Sequence, residues 1–180
     1  DKYTPKSLDE VVGNRPAIEA IRRWSENYDK PLFIYGAPGV GKTLVANLLA
    51  KEKKWTTLTT DASDLRDKES TKNLLNAACT TNTLFGTTRL VLIDEIDSVS
   101  DKRGGEDYGF FTELDKILDK SKQPIIIIAN DPYENKKLRP IFEKCEKIKF
   151  DLPPKPSILK FAKGICDKED IDYDLVALNR

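Results

Sequence analysis

The chain has 180 residues, one domain on the usual span of roughly 100–200 residues each. Thirty Lys and Arg balance thirty Asp and Glu, which excludes whole-molecule attraction to nucleic acid and leaves only a local basic patch for any such contact. There is no His, and Cys79, Cys145 and Cys166 are odd in number and far apart, which excludes a Cys/His zinc site and argues against a disulfide framework. A reduced, cytoplasmic protein is expected (nuclear if the cell is eukaryotic). The longest apolar run, Ile125–Ala129, is too short to span a bilayer, and no basic leader with an apolar core opens the sequence. No membrane partner is expected. Met is absent even at position 1, which reads as a piece of a longer chain.

Short β-rich runs alternate with amphipathic stretches. Ile18, Ile21 and Trp24 repeat at helical spacing behind Pro16, predicting a helix over Pro16–Trp24. Leu32–Tyr35 is a compact strand ended by Gly36. A helix is predicted over Thr43–Ala50, with Leu44, Val45, Leu48 and Leu49 on its buried side, then a strand over Trp55–Thr59. Leu74, Leu75 and Ala78 fit a helix over Ser70–Cys79. Leu90–Ile93 and Ile125–Ile128 are unbroken aliphatic runs, as suits strands of a parallel sheet covered on both faces. Between them Phe110, Phe111, Leu114, Ile117 and Leu118 mark another helix, and Lys147–Phe150 is a weaker last strand. The pattern is α/β with right-handed crossovers. Pro153, Pro154 and Pro156 make Asp151–Pro156 a linker, after which Ile158, Phe161, Ala162 and Ile165 begin a new amphipathic helix.

Gly36-Ala37-Pro38-Gly39-Val40-Gly41-Lys42-Thr43 fits G-x-x-x-x-G-K-[ST] between a predicted strand and helix, the context this phosphate-binding motif demands. Its glycines allow backbone N–H groups to face phosphate oxygens at a helix N-terminus. Lys42 is placed to reach the β- and γ-phosphates of ATP, and the Thr43 hydroxyl to ligate Mg²⁺. Asp94 and Glu95 end the strand Leu90–Ile93, 52 residues beyond Lys42 for Asp94. Asp94 is the expected second Mg²⁺ ligand, and Glu95 the general base that polarises the attacking water. Asn130, closing the next aliphatic strand, is expected to hydrogen-bond that water or the γ-phosphate. A strand-ending turn in Asn130-Asp131-Pro132 is the competing explanation for it.

With these motifs in hand the sequence resembles the AAA+ ATPases, and within them the clamp loaders. Lys2-Tyr3-Thr4-Pro5-Lys6-Ser7-Leu8, with Val11-Val12-Gly13-Asn14, is similar to the family's N-terminal box beside the adenine. The resemblance therefore puts Tyr3, Val11 and Val12 against the base, with Thr4 standing where the family often has Arg. Asp61-Ala62-Ser63-Asp64 resembles the family's Asn-Ala-Ser-Asp box, departing at Asp61. Ala129–Tyr133 and Leu138-Arg139 look most like the large-subunit type of archaeal replication factor C. Small clamp-loader subunits carry Ser-Arg-Cys, whose Arg reaches a neighbour's ATP, where this chain has Glu143-Lys144-Cys145. An ammonium is a poor substitute for a planar guanidinium, which favours a subunit that receives a finger and supplies none. The second-sensor Arg of the family lies beyond this stretch, and Arg180 is not assigned that role.

The resemblance implies a three-layer nucleotide-binding domain over residues 1–151, with a five-stranded parallel sheet in the order 5-1-4-3-2. Residues 152–180 would begin a small helical lid. It implies Mg²⁺-dependent ATP hydrolysis, small clamp-loader subunits, a sliding clamp and primer–template DNA as partners. Lys102 and Arg103 are candidates for DNA phosphates, and Leu84-Phe85 for the clamp; a solvated loop and packing on a helix explain them as readily. Two other functions stay open: a DNA-translocating motor of the branch-migration type, and a nucleotide-gated assembly scaffold.

Overall fold

The structure, a computed structural model, describes residues 2–61, 73, 87–99 and 110–172. The Ser70–Cys79 helix predicted from sequence, most of the Asp61–Asp64 box, Leu84-Phe85, Lys102-Arg103 and Arg180 lie outside the described residues. In chain order the elements are α1 (Arg15–Asn27), β1 (Leu32–Gly36), α2 (Lys42–Glu52), β2 (Thr56–Asp61), β3 (Arg89–Asp94), α3 (Phe110–Lys120), β4 (Ile125–Ala129), α4 (Arg139–Lys144), β5 (Glu146–Phe150) and α5 (Lys155–Lys168).

The five strands form one parallel sheet in the order β2-β3-β4-β1-β5, the expected order read from the other edge. Period-two alternation explains why the central runs are apolar throughout. Phe33, Val91, Ile93, Ile125 and Ile127 face α3 and α4, within one core that also holds Phe111, Leu114, Ile141 and Phe142. Leu32, Ile34, Leu90, Leu92, Ile126 and Ile128 face the other way, into a core with Ile18, Ile21 and Trp24 of α1 and Val45 and Leu49 of α2. Both faces are thus dry along the three middle strands. The edges differ: four of the six β2 residues are exposed, and β5 turns Lys147 and Lys149 outward while burying Ile148 and Phe150. Charged or polar edge strands resist pairing with other chains.

Predicted and observed elements agree closely, with two informative differences. β2 starts one residue late because Trp55 is drawn into the α1/α2 side, where its ring meets Tyr28 edge-on at 5.6 Å. α4 has no counterpart in the predicted elements. Only Ile141 and Phe142 of its six residues are buried, too few for a helical period to emerge.

Asn14 ties the start of the chain to the proline linker: its Nδ2 donates to the Asp151 carbonyl at 2.9 Å, and its Oδ1 accepts from the Asp151 N–H at 2.9 Å. Beyond the linker, α5 has no fully buried residue, and Ile158 and Phe161 are exposed. No helix among the described residues is long and apolar enough to cross a membrane.

Candidate active site

Because all strands run parallel, their carboxyl ends share one edge, and the predicted phosphate-site residues converge there. β1 ends at Gly36, β3 at Asp94 and β4 at Ala129, one residue before Asn130. Gly36 has φ +147°, and a Cβ there would lie 2.1 Å from the Phe150 carbonyl oxygen. Only glycine lets β1 leave the sheet this close to β5. The loop from Ala37 to Gly41 keeps Pro38 and Gly39 exposed and buries Val40 in the α1/α2 core. α2 then begins at Lys42, so its free N–H groups and positive dipole end point into the loop.

Lys42 is only 6% exposed. Its Nζ donates to the carbonyls of Gly36 (2.7 Å) and Ala37 (2.9 Å) and to Oδ1 of Asn130 (2.9 Å), occupying all three ammonium hydrogens. Burial pushes its pKa below the ordinary lysine value, and the nearby charges of Asp97, Asp94 and Glu95 push back. Thr43 Oγ1 donates to Asp94 Oδ2 at 2.7 Å, while Asp94 Oδ1 accepts the Glu95 N–H at 2.9 Å. Glu95 is exposed and sits at φ +51°, in the left-handed region, which costs a non-glycine residue roughly 1–2 kcal/mol. The turn Ile96–Ser98 follows at once and is locked by the Ser98 N–H donating to the Glu95 carbonyl at 2.9 Å.

These groups border a cavity of about 280 Å³ lined by the phosphate loop, Thr43, Asp94, Glu95 and Asn130. Five side chains predicted from separate parts of the sequence therefore meet around one space. The donor set also fits Mg²⁺: a hydroxyl and a carboxylate oxygen 2.7 Å apart are hard oxygen ligands beside a phosphate loop.

Tyr3, Val11 and Val12 come together elsewhere. They line a larger cavity of about 750 Å³ between the N-terminal segment and α5, whose wall includes Phe161, Gly164 and Ile165. Val11 is buried, and the Tyr3 hydroxyl donates to the Glu169 carboxylate, which also pairs with Lys2. The two cavities are lined by different residues, one by the phosphate loop and one by the expected adenine box and α5.

Lys144, in the segment Glu143-Lys144-Cys145 singled out from the sequence, is engaged within its own chain. Its Nζ lies 2.7 Å from Asp115 Oδ1 and donates to both carboxylate oxygens of Asp119 at 2.9 Å. Hydrogen bonds to Asp115 and then Asp119 raise its pKa. Residue-type reasoning missed Asp97, whose carboxylate accepts the backbone N–H of Asn130 at 2.9 Å. The available signal was the second aspartate, three residues after Asp94, in Asp94-Glu95-Ile96-Asp97.

The chain is similar to known proteins over most of its length. The sequence profile described as ATPase family associated with various cellular activities (AAA) matches residues 32–152. The replication factor C large subunit of Methanosphaera stadtmanae is 39% identical over 99% of this chain, and that of Thermofilum pendens 35% identical over 96%. The chain spans 34% and 42% of the length of these two relatives. Among solved structures, the Thermotoga maritima RuvB Holliday junction branch migration motor superposes with a TM-score of 0.68 at 17% identity, covering 99% of this chain and 59% of that one. A replication initiator DnaA bound to AMPPCP and single-stranded DNA gives 0.67 at 21% identity, covering 99% and 60%. At that identity the two structures speak for the fold alone.

Proposed function

The chain belongs to the AAA family of ATPases, and from that premise we propose that it is the ATP-binding and ATP-hydrolysing part of a clamp-loader large subunit. On this reading residues 1–151 form the nucleotide-binding domain and 152–180 begin a helical lid. The whole protein works in the cytoplasm with small loader subunits to place a sliding clamp on primer–template DNA. The observation that carries the proposal is the convergence of Lys42, Thr43, Asp94, Glu95 and Asn130 on one cavity at the carboxyl edge of the sheet. Relatives named replication factor C large subunit give the convergence its context.

Each side chain has a task in that chemistry. Backbone N–H groups from Gly39 to Thr43 cradle the phosphates, and the Lys42 ammonium turns from its three acceptors to the β- and γ-phosphates. Thr43 and Asp94 would hold Mg²⁺. The ion would supply positive charge there to offset the negative charge that develops on the phosphates during transfer. Glu95 takes the proton of the attacking water, while the Asn130 amide, freed from Lys42, holds the water or the γ-phosphate. Tyr3, Val11 and Val12 accept the adenine from the side of α5. Phosphoryl transfer further needs an arginine finger from a neighbouring small subunit, an effect worth roughly 10³–10⁵ in rate.

The test is ATPase activity of the full-length protein assembled with small subunits. A loader is stimulated by clamp together with primer–template DNA, and mutating the partner's finger arginine removes the gain. Full stimulation by DNA without clamp would instead identify a translocating motor, and nucleotide binding with negligible single-turnover hydrolysis in the assembled complex would leave only a scaffold.

A further inference from the structure

Asp97 has no task in the hydrolysis just described, yet it holds a residue that does. It lies half-buried in the turn Ile96–Ser98, directly after Glu95. Its Oδ2 accepts the backbone N–H of Asn130 at 2.9 Å and, less tightly, that of Asp131 at 3.3 Å. Its Oδ1 is buried and has no hydrogen-bond partner among the described residues. A buried carboxylate oxygen left unpaired is costly, and the charge it carries also faces the buried Lys42 ammonium.

The register of the sheet explains what Asp97 supplies. β4 pairs with β1 as far as Ala129, opposite Tyr35, and the ladder stops there because β1 turns away at Gly36 into the phosphate loop. Asn130 therefore stands one residue beyond the last ladder pair. Its side chain is held by Lys42 Nζ at 2.9 Å, a contact that must break when the ammonium moves to phosphate. From then on the amide is located by its backbone, and that backbone is fixed by Asp97. A second tie runs in parallel, with Asn135 Nδ2 donating to the Val99 carbonyl at 3.2 Å. The turn that follows Glu95 and the segment that carries Asn130 are thus joined at two points.

We propose that Asp97 is a positioning residue for ATP hydrolysis: it fixes the Asn130 backbone relative to Glu95, so that the amide and the base meet the same water. The proposal rests on the nucleotide reading above. It predicts a defect in turnover without a matching defect in affinity, because Lys42 makes no hydrogen bond with Asp97 and keeps its loop acceptors, and the loop N–H groups and the adenine cavity are untouched. Misplacement by about 1 Å costs on the order of 10²-fold in rate, so Asp97→Ala should lower the single-turnover rate about 10- to 100-fold.

Two substitutions separate the acceptor from the charge. Asp97→Asn keeps an oxygen for the two N–H groups and removes the charge; it should hydrolyse ATP within about threefold of the parent. Asp97→Glu keeps the charge and shifts the acceptor by one methylene; it should be slow, with affinity for a fluorescent ATP analogue within about threefold. The assay is single-turnover hydrolysis by the full-length protein assembled with its partners, alongside nucleotide titration. Parental rates in Asp97→Glu, or a rate in Asp97→Asn as low as in Asp97→Glu, would overturn the positioning role, whether or not Asp97→Ala folds. Lys42→Ala serves as the control on the underlying reading. If it binds ATP normally, the nucleotide site itself is misassigned; if it fails to bind while the Asp97 variants behave as the parent, only the role of Asp97 falls.

Discussion

Replacing Gly36 by alanine places a methyl carbon 2.1 Å from the Phe150 carbonyl oxygen, where ordinary contact begins 1.3 Å further out, at 3.4 Å. Neither atom is the end of a flexible side chain, so β1 and β5 must part at Gly36↔Phe150, the last of their five register pairs. The backbone adds its own penalty. A φ of +147° is glycine territory, and holding an L-residue in such a region costs about 1–3 kcal/mol. Losing one or two ladder hydrogen bonds costs about 1 kcal/mol each. The sum is about 2–5 kcal/mol, a large share of the roughly 5–15 kcal/mol that separates most native domains from unfolding. Function should suffer too, because the Gly36 carbonyl accepts from Lys42 Nζ at 2.7 Å. Gly39→Ala is the matched control: its φ is +76°, but a Cβ there meets nothing within 4 Å, so only a left-handed penalty of about 1–2 kcal/mol applies. Urea denaturation at constant slope reads the difference. A Gly36→Ala loss no greater than the Gly39→Ala loss would refute the close-approach argument.

Two other outcomes concern the neighbouring residues Lys144 and Cys145. Lys144→Ala should leave hydrolysis within about twofold of the parent in the assembled protein, since its ammonium serves Asp115 and Asp119 on α3, and exposed pairs of this kind contribute little. Loss of a neighbouring subunit's activity would instead make Lys144 a finger. Burial pushes the Cys145 thiol up from 9.0 to about 12. The folded pKa is the higher one, so its stabilising effect is complete below pH 9, where the unfolded thiol also keeps its proton, and is lost as pH rises toward 12. Between pH 8 and 10 the parent should lose about 1 kcal/mol more stability than Cys145→Ala; an equal loss in both would show the thiol to be solvated.

The sequence was most informative where structure depends on neighbours along the chain. Leu90–Ile93 and Ile125–Ile128 are aliphatic at every position because helices cover both faces of β3 and β4, and no other soluble arrangement tolerates such runs so well. The phosphate loop was equally plain, since strand, glycines, Lys42 and Thr43 act within eight residues of Gly36. β2 was blurred because an edge strand of threonines has no apolar period, and α4 because two buried residues define no face. The contacts that were illegible join distant segments. Asp97 and Asn130 are 33 residues apart, and Lys144 finds its partners 25 and 29 residues back, at Asp119 and Asp115. Composition and spacing do not encode such pairings; they exist only once β3, β4 and α3 are packed.

Lys42 and Glu95 divide binding from chemistry, and one paired measurement tests that division: nucleotide affinity and single-turnover hydrolysis in Lys42→Ala and Glu95→Gln, each in the assembled full-length protein. Lys42 is the buried cation of the site, with all its hydrogens committed to groups around the phosphate loop, so Lys42→Ala should lose tight ATP binding. Asp94 keeps its contact with Thr43 when Glu95 changes, so Glu95→Gln should bind ATP as the parent does and hydrolyse it about 10²–10⁴-fold more slowly. Equal loss of affinity in the two variants, or parental hydrolysis by Glu95→Gln, would contradict the assignment of binding to one residue and chemistry to the other.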